Sequence, residues 1–121
     1  MDVRSYRDLK VWQMGMDLVC HIYQVTDGFP KSEIYGLTSQ IQRAAVSIPS
    51  NVAEGHARGS SREFLHFLSI SLGSLAELET QLLISSRLRY LDQGVLEPIL
   101  DNVDELGRML RGLQKSLRNR G

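Results

Sequence analysis

The sequence predicts an all-α fold, an antiparallel up-down-up-down four-helix bundle, in a single domain over residues 1–121. Four segments repeat apolar residues at spacings of three and four, the period of a helix with one buried face. The connections are short, so neighbouring helices should run in opposite directions. No β alternation competes with this pattern. The expected helices span about 8–26, 32–56, 61–89 and 95–118.

Helix one carries two neighbouring apolar stripes. The stripes are Leu9, Trp12, Met16, Val19 and Tyr23, and Val11, Gly15, Leu18, Ile22 and Val25. Together they are wider than packing on one side requires. We therefore expect Trp12, Leu18 and Ile22 to contact another subunit. Asp8 is the expected N-cap, and Asp27-Gly28-Phe29-Pro30 should end the helix.

Helix two combines an apolar stripe with a polar one. The apolar residues are Leu37, Ile41, Ala44, Ala45, Ile48 and Val52, and the polar stripe is Gln40, Arg43, Ser47, Asn51 and Glu54. Ser32 is the expected N-cap, and Gly55 lies near the end. Pro49 lies inside the apolar pattern, which predicts a kink; a break into two helices is the alternative.

The polar stripe has two interpretations. The structural one is a set of side chains that hydrogen-bond between helices or subunits, because buried polar groups need partners. The functional one is a ligand or nucleic-acid surface on which Arg43 contacts phosphate. We favour the structural interpretation and predict an interface.

Helices three and four complete the bundle. Ser60-Ser61-Arg62-Glu63 matches a capping box before the apolar seam of helix three. Helix four repeats apolar residues in a heptad pattern. The heptad residues are Leu96, Ile99, Val103, Leu106, Leu110, Leu113 and Leu117. Pro98 is compatible with this helix only in about the first turn.

Composition limits the functional classes. Fourteen basic and fourteen acidic residues give a formal net charge of zero, which weakens nucleic-acid binding driven by bulk charge. Cys20 is the single cysteine, so no disulfide framework exists within the chain, and a reducing compartment fits best. No leader or membrane-length apolar run is recognisable. We expect a cytoplasmic protein that does not enter membranes.

No pattern indicates catalysis. His21, His56 and His66 lack the HExxH arrangement, so a metal site is the less favoured interpretation. The serines lie in no nucleophile elbow, and no phosphate-binding glycine loop occurs. We predict no enzymatic activity, no cofactor, no metal and no small-molecule substrate.

Basic residues form a weaker candidate surface. The candidate nucleic-acid contacts are Arg58, Arg62, Arg108, Arg111 and Lys115. Repetition around a ring would add their local fields. The alternative, which we favour, is a solvated face on helix four balanced by acidic residues at helical spacing, namely Asp101, Asp104 and Glu105.

The sequence also resembles a known family. The residues that carry the resemblance are Gln40, Arg43-Ala44-Ala45, Ser47-Ile48, Asn51 and Ala53-Glu54-Gly55, and, beyond that signature, Val11-Trp12-Gln13, Phe29-Pro30, Glu33 and Tyr35-Gly36-Leu37. They are similar to the signature of the four-helix-bundle proteins named for 23S rRNA intervening sequences, also called S23 ribosomal proteins.

The resemblance implies a bundle that assembles as a homopentameric ring and whose role is largely uncharacterised. A related branch is the accessory variability protein of diversity-generating retroelements, a pentamer that partners a reverse transcriptase and binds nucleic acid. Its members are markedly basic, whereas this chain has no net charge. We predict an oligomeric assembly or interaction module, with a nucleic-acid-binding accessory factor as the alternative.

Overall fold

Four α-helices make up most of the chain. The computed structural model describes residues 5–120, which contain no strand. The helices are α1 (Lys10–Thr26), α2 (Leu37–Ala57), α3 (Ser61–Arg87) and α4 (Gln93–Asn119), and short 3-10 turns occur at Tyr6–Asp8 and Lys31–Glu33. The prediction of an all-α chain with four helices is confirmed.

Each helix packs against two others. α1 and α3 both pack against α2 and α4, whereas no Cα atom of α1 lies within 8 Å of a Cα atom of α3. The core between them is aliphatic, and full burial of one such side chain stabilises the fold by about 1.5–3 kcal/mol. Its fully buried members include Ile22, Ile41, Ile48, Val52, Leu68, Leu78, Leu82, Ile99, Leu106 and Leu110. α1 and α3 therefore occupy opposite corners of the fold.

The first two helices begin later than predicted. Asp8 ends a 3-10 turn, and α1 begins at Lys10 without a side-chain cap. Ser32 also lies in a 3-10 turn, and α2 begins only at Leu37. The N-cap position of α2 is Gly36, and the Glu33 side chain caps the helix from outside, with Oε1 accepting from the Leu37 N–H at 3.1 Å. The expected caps Asp8 and Ser32 are therefore wrong.

The starts of α3 and α4 depend on polar caps. Ser60 Oγ accepts from the Glu63 N–H at 3.2 Å, as its capping motif predicts. Asp92 accepts from the Val95 N–H at 3.0 Å, so α4 begins at Gln93, earlier than expected. Pro98 consequently lies in the second turn, where it is exposed and water can satisfy the carbonyl left without an N–H partner.

α2 passes through Pro49 without interruption. The alternative of two separate helices is therefore wrong, while the size of a kink stays a prediction. Pro49 is buried against α1 at a glycine: a Cβ added at Gly15 would lie 3.3 Å from Pro49 Cβ. The proline ring thus fills the place where α1 and α2 approach closely.

Candidate interaction site between α2 and α3

The polar stripe of α2 divides into three parts, and the central part joins α2 to α3. The Ser47 and Ser74 hydroxyls hydrogen-bond at 2.8 Å. Asn51 Nδ2 donates to the Ser47 carbonyl at 2.8 Å and to its hydroxyl at 2.9 Å. Ser47 therefore bonds to α3, and Asn51 bonds back to Ser47 within α2.

Close backbone approach continues this seam toward the end of α2. Ser71 Oγ, fully buried, donates to the Ile48 carbonyl at 2.9 Å. A methyl group at Gly55 would lie 2.6 Å from Phe67 Cβ and 3.1 Å from Phe64 Cδ1. We call the part of the seam from Ser47 to Gly55 the closed half, because small residues leave no room between the helices.

The preceding turns of α2 border an open groove. This α2–α3 groove has a volume of about 330 Å³ and is lined by Gln40, Arg43, Ala44, Ser47, Glu77 and Gln81. Gln40, Arg43 and Glu77 are exposed. Gln81 is only 7% exposed, and its Oε1 has no hydrogen-bond partner within the described residues. The groove is thus lined by a cation, a carboxylate and the amide side chain of Gln81.

Glu54, the last member of the stripe, belongs to a separate cluster. Its Oε2 accepts from Arg58 Nη2 at 2.8 Å, and Glu63 lies 3.7 Å from the same guanidinium group. This hydrogen bond with Glu54 raises the pKa of Arg58. The guanidinium carbon also lies 5.0 Å from the Phe67 ring centroid, a cation–π geometry. Arg58 is therefore already engaged, which weakens its candidacy as a nucleic-acid contact.

The Glu33 carboxylate joins the segment before α2 to the segment after α3. Glu33 Oε2 accepts from the Tyr90 hydroxyl at 2.9 Å, while its other oxygen caps α2. The hydrogen bond to Glu33 raises the pKa of Tyr90. A Cβ at Gly36 would lie 2.8 Å from Glu33 Oε1. The helical periodicity gave no signal for this role, because Glu33 lies outside the helix that it caps.

Exposed apolar residues lie on α1 and α3, but two of the residues predicted for a subunit interface, Leu18 and Ile22, are buried. Leu18 and Ile22 are 4% and 0% exposed within one chain, so they have no surface to offer a second subunit. The stripe of α1 that reaches water is the other one, with half-buried Trp12. The large exposed apolar residues of the two helices are Met16, Tyr23, Ile70, Leu83 and Ile84, and Leu88 follows directly at the C-cap of α3.

Two of the three histidines, His56 and His66, adjoin aromatic rings. His56 meets Phe64 edge-on with a centroid distance of 5.7 Å, and the His66 ring lies 5.4 Å from that of Phe67. Between residues 5 and 120, no three His, Cys, Asp or Glu side chains are grouped so that they could hold a metal ion. The structure thus brings no metal-binding group to the candidate site.

The predicted basic residues lie in different surroundings. Arg62 and Arg118 line one groove with His66. Arg108 and Arg111 line another, which also holds Glu79 and Asp104. Lys115 is exposed. In the part of the chain that the structure describes, no ion pair joins the charges of α4, so the pairing expected from their spacing is absent.

The apolar character of α3 is high for a helix with so much exposed surface. By length and composition it could cross a membrane, with a mean hydropathy of 1.2 over its most apolar 18 residues. Core helices of soluble proteins meet the same criterion. Only 33% of that window is buried in the fold, so α3 keeps a large surface for other contacts.

Comparisons with known proteins identify the family. The chain is similar in structure to a protein of unknown function from the S23 ribosomal protein family of Bacteroides thetaiotaomicron VPI-5482, with 23% identity and a TM-score of 0.78. The match covers 87% of this chain and 98% of the other, and shows a shared fold. No curated protein matches the sequence. A family model described as 23S rRNA-intervening sequence protein matches residues 7–112, so the chain belongs to that family.

Proposed function

We propose that this protein is a non-enzymatic assembly module, an antiparallel up-down-up-down four-helix bundle that forms a ring-shaped homopentamer in the cytoplasm. The observation that carries the proposal is the exposed apolar surface on two helices, α1 and α3, whose backbones are not neighbours in the fold. The contacts of Ser47 with Ser74, and of Gly55 with Phe67, support opposite directions for α2 and α3.

The positions of the two surfaces favour a ring over a two-fold dimer. α1 presents Met16 and Tyr23, and α3 presents Ile84 and Leu88 at the opposite corner of the fold. Contiguous exposed apolar patches mark interaction sites. Two different patches on opposite sides form a heterologous contact, which closes into a ring when the rotation between subunits permits. The number five is what the family resemblance implies.

Light scattering of the purified chain tests the assembly directly. We expect a mass five times that of the 13.7 kDa chain. A monomeric mass at micromolar concentration would defeat the proposal.

A paired substitution tests the surface. Ile84→Glu with Leu88→Glu places charge on the proposed interface of α3 and should dissociate the oligomer, because isolated charges are costly to bury. The matched control is Val95→Glu, which changes another exposed apolar residue on α4 and should leave the mass unchanged. Circular dichroism should show the same helix content in both variants. An intact oligomer in the paired variant would exclude this face of α3.

Nucleic-acid binding is the second candidate, and a specific juxtaposition favours it. The start of α3 and the end of α4 bring Arg62 and Arg118 to one groove with His66, and none of the acidic residues between positions 5 and 120 lines that groove. Arginine guanidinium groups bind phosphate through paired hydrogen bonds. A ring would repeat the pair in every subunit, so a chain of zero net charge could present a local positive field.

Binding of a labelled RNA or DNA probe at low and high salt tests this candidate. We expect binding that falls steeply with salt and is lost in Arg62→Glu with Arg118→Glu. Arg108→Glu with Arg111→Glu is the control, since Glu79 and Asp104 already offset those charges. Absence of binding at low salt would eliminate the candidate.

A further inference from the structure

The outer face of α4 separates its charges along the helix, with acidic residues in the first half and basic residues in the second. The acidic residues are Glu97, Asp101, Asp104 and Glu105, and the basic residues are Arg108, Arg111, Lys115 and Arg118. All of these residues are exposed. At about 100° per residue, they lie within roughly 140° of the helix circumference. We call this surface the charged stripe of α4.

The charged stripe forms no ion pair with the rest of the described chain. Neighbours at helical spacing, such as Asp104 and Arg108, could pair along the helix. Between residues 5 and 120, however, the salt bridges both involve Arg58. Glu79 of α3 lines the same groove as Arg108 and Arg111 without bonding to either. The charges of the stripe are therefore available to another molecule.

The order of the charges makes the stripe complementary to an antiparallel copy of itself. Glu97 and Arg118 lie equally far from the midpoint of the stripe. Asp104 and Arg111 are likewise equidistant from it. Two such helices that run antiparallel therefore place acidic residues opposite basic ones, whereas a parallel pair opposes like charges, which is unfavourable. Gly112 lies on the same face and leaves open space, since an added Cβ would have no atom within 4 Å.

We propose that the charged stripe of α4 is a self-association surface on which two copies pair antiparallel about a two-fold axis. The occupant is a second copy of this chain, because the stripe carries both signs of charge in the order that its own antiparallel copy complements. Asp101 of each copy then faces Lys115 of the other, and the two-fold axis repeats every contact. Exposed ion pairs are individually weak and are screened by salt, so this pairing is reversible and strongest at low ionic strength.

The pairing of α4 is separate from the proposed ring, which uses the exposed apolar residues of α1 and α3. It joins two assemblies, whatever the number of subunits in each. Its signature is therefore a doubling of mass and not a particular mass.

Light scattering at one protein concentration and two salt concentrations tests the pairing. We expect the mass at about 20 mM salt to be twice the mass at about 500 mM salt, because the Debye length falls from about 20 Å to about 4 Å between them. Equal masses would overturn the pairing and leave the proposed ring untouched. A monomer at high salt that becomes a dimer at low salt would support the pairing and defeat the ring.

Charge reversal tests whether the stripe is the surface that pairs. Asp101→Lys and Lys115→Asp each oppose like charges across the axis, and each should raise the low-salt dissociation constant at least about tenfold. An equimolar mixture of the two variants opposes unlike charges again and should recover the doubled mass. The control is Asp27→Lys, which changes the net charge as Asp101→Lys does, but at an exposed position outside α4, and should pair like the wild type. Doubling that persists in Asp101→Lys would refute the assignment to the stripe.

Cross-linking tests the orientation, with Cys20→Ser in every chain because Cys20 is exposed. Arg108→Cys lies next to the proposed axis, so a short bis-maleimide should join two copies at low salt. Asn119→Cys is exposed at the end of α4, and at a rise of about 1.5 Å per residue it lies roughly 30 Å from its counterpart in the antiparallel pair. It should give little product. Equally efficient cross-linking of the two variants would exclude the antiparallel arrangement.

Discussion

The two halves of the α2–α3 seam differ in the size of the side chains between the helices. In the closed half, glycine and serines bring the backbones together, with Ser71 bonded to a main-chain carbonyl and Gly55 against Phe67. In the open half, the long side chains of Gln40 and Arg43 border a groove. The polar groups of α2 and α3 thus hydrogen-bond within the chain in the closed half, whereas in the open half they line a groove.

This difference indicates where the stability of the chain and its interactions lie. Polar groups in the closed half have partners within the chain, so their loss should affect folding. In the open half, Arg43 and Glu77 are exposed and Gln81 has an acceptor without a partner in the described residues. Changes there should affect association far more than folding. The following predictions test that division.

The largest effect should come from Gly55. Gly55→Ala places a methyl group 2.6 Å from Phe67 Cβ, so the helices must separate. We expect the free energy of unfolding to fall by about 1–3 kcal/mol through overpacking, although alanine is the better helix former. Denaturation in urea measures the change.

The control for Gly55 lies on α3. Gly73 is exposed, and an added Cβ would have no atom within 4 Å. Gly73→Ala should therefore stabilise the chain by up to about 1 kcal/mol. If Gly55→Ala proved as stable as Gly73→Ala, the close approach in the closed half would be refuted.

A smaller effect should follow from Ser71→Ala. The substitution removes the buried hydrogen bond to the Ile48 carbonyl, which we expect to cost about 1 kcal/mol. Arg43→Ala, in the open half, should change the free energy of unfolding by less than about 0.5 kcal/mol, as surface substitutions usually do. Both are compared at a concentration at which the chain is monomeric. Equal losses would show that the two halves contribute alike to folding.

The sequence predicts this seam only in part. The periodicity of α2 correctly separates Ile41, Ile48 and Val52 from the polar stripe, because burial follows the helical repeat. It does not separate Ser47, which bonds to α3, from Arg43, which lines the groove. That distinction depends on the residues of α3 opposite each position, and a pattern along one helix contains no information about them.

The stripes of α1 and the cap of α2 show a second limit of prediction from the sequence. Both stripes of α1 are apolar, and the sequence correctly indicates a surplus, yet Leu18 and Ile22 fill the core and Tyr23 reaches water. Which stripe faces inward depends on the packing angle of the helices. The sequence does not identify Glu33 as a cap, because its carboxylate reaches α2 from a preceding 3-10 turn. Local motifs such as Ser60 and Glu63 were correctly predicted because all their atoms lie within one turn.

The pH dependence of stability tests the hydrogen bond between Tyr90 and Glu33, next to the start of α2. The neutral Tyr90 phenol donates to Glu33, and this raises its folded pKa above the unfolded value of about 10. The contribution of this hydrogen bond to the free energy of unfolding is therefore complete below about pH 10 and is lost as the pH rises through the folded pKa of Tyr90. Urea midpoints from about pH 9 to about pH 11 should fall more steeply for the wild type than for Tyr90→Phe. Parallel curves would exclude this contribution.

The last comparison concerns two buried glutamines, Gln81 in the open half and, as a reference outside the α2–α3 seam, Gln114 on α4. Gln114 is 6% exposed and donates to Ser69 Oγ at 3.0 Å, whereas Gln81 is 7% exposed with an unpaired Oε1. Gln114→Leu loses a hydrogen bond, while Gln81→Leu removes an unsatisfied group. For the monomer, we expect Gln81→Leu to be neutral or slightly stabilising and Gln114→Leu to be less stable than it by about 1 kcal/mol. If Gln81→Leu were instead the more destabilising in the monomer, the Gln81 amide would contribute to folding.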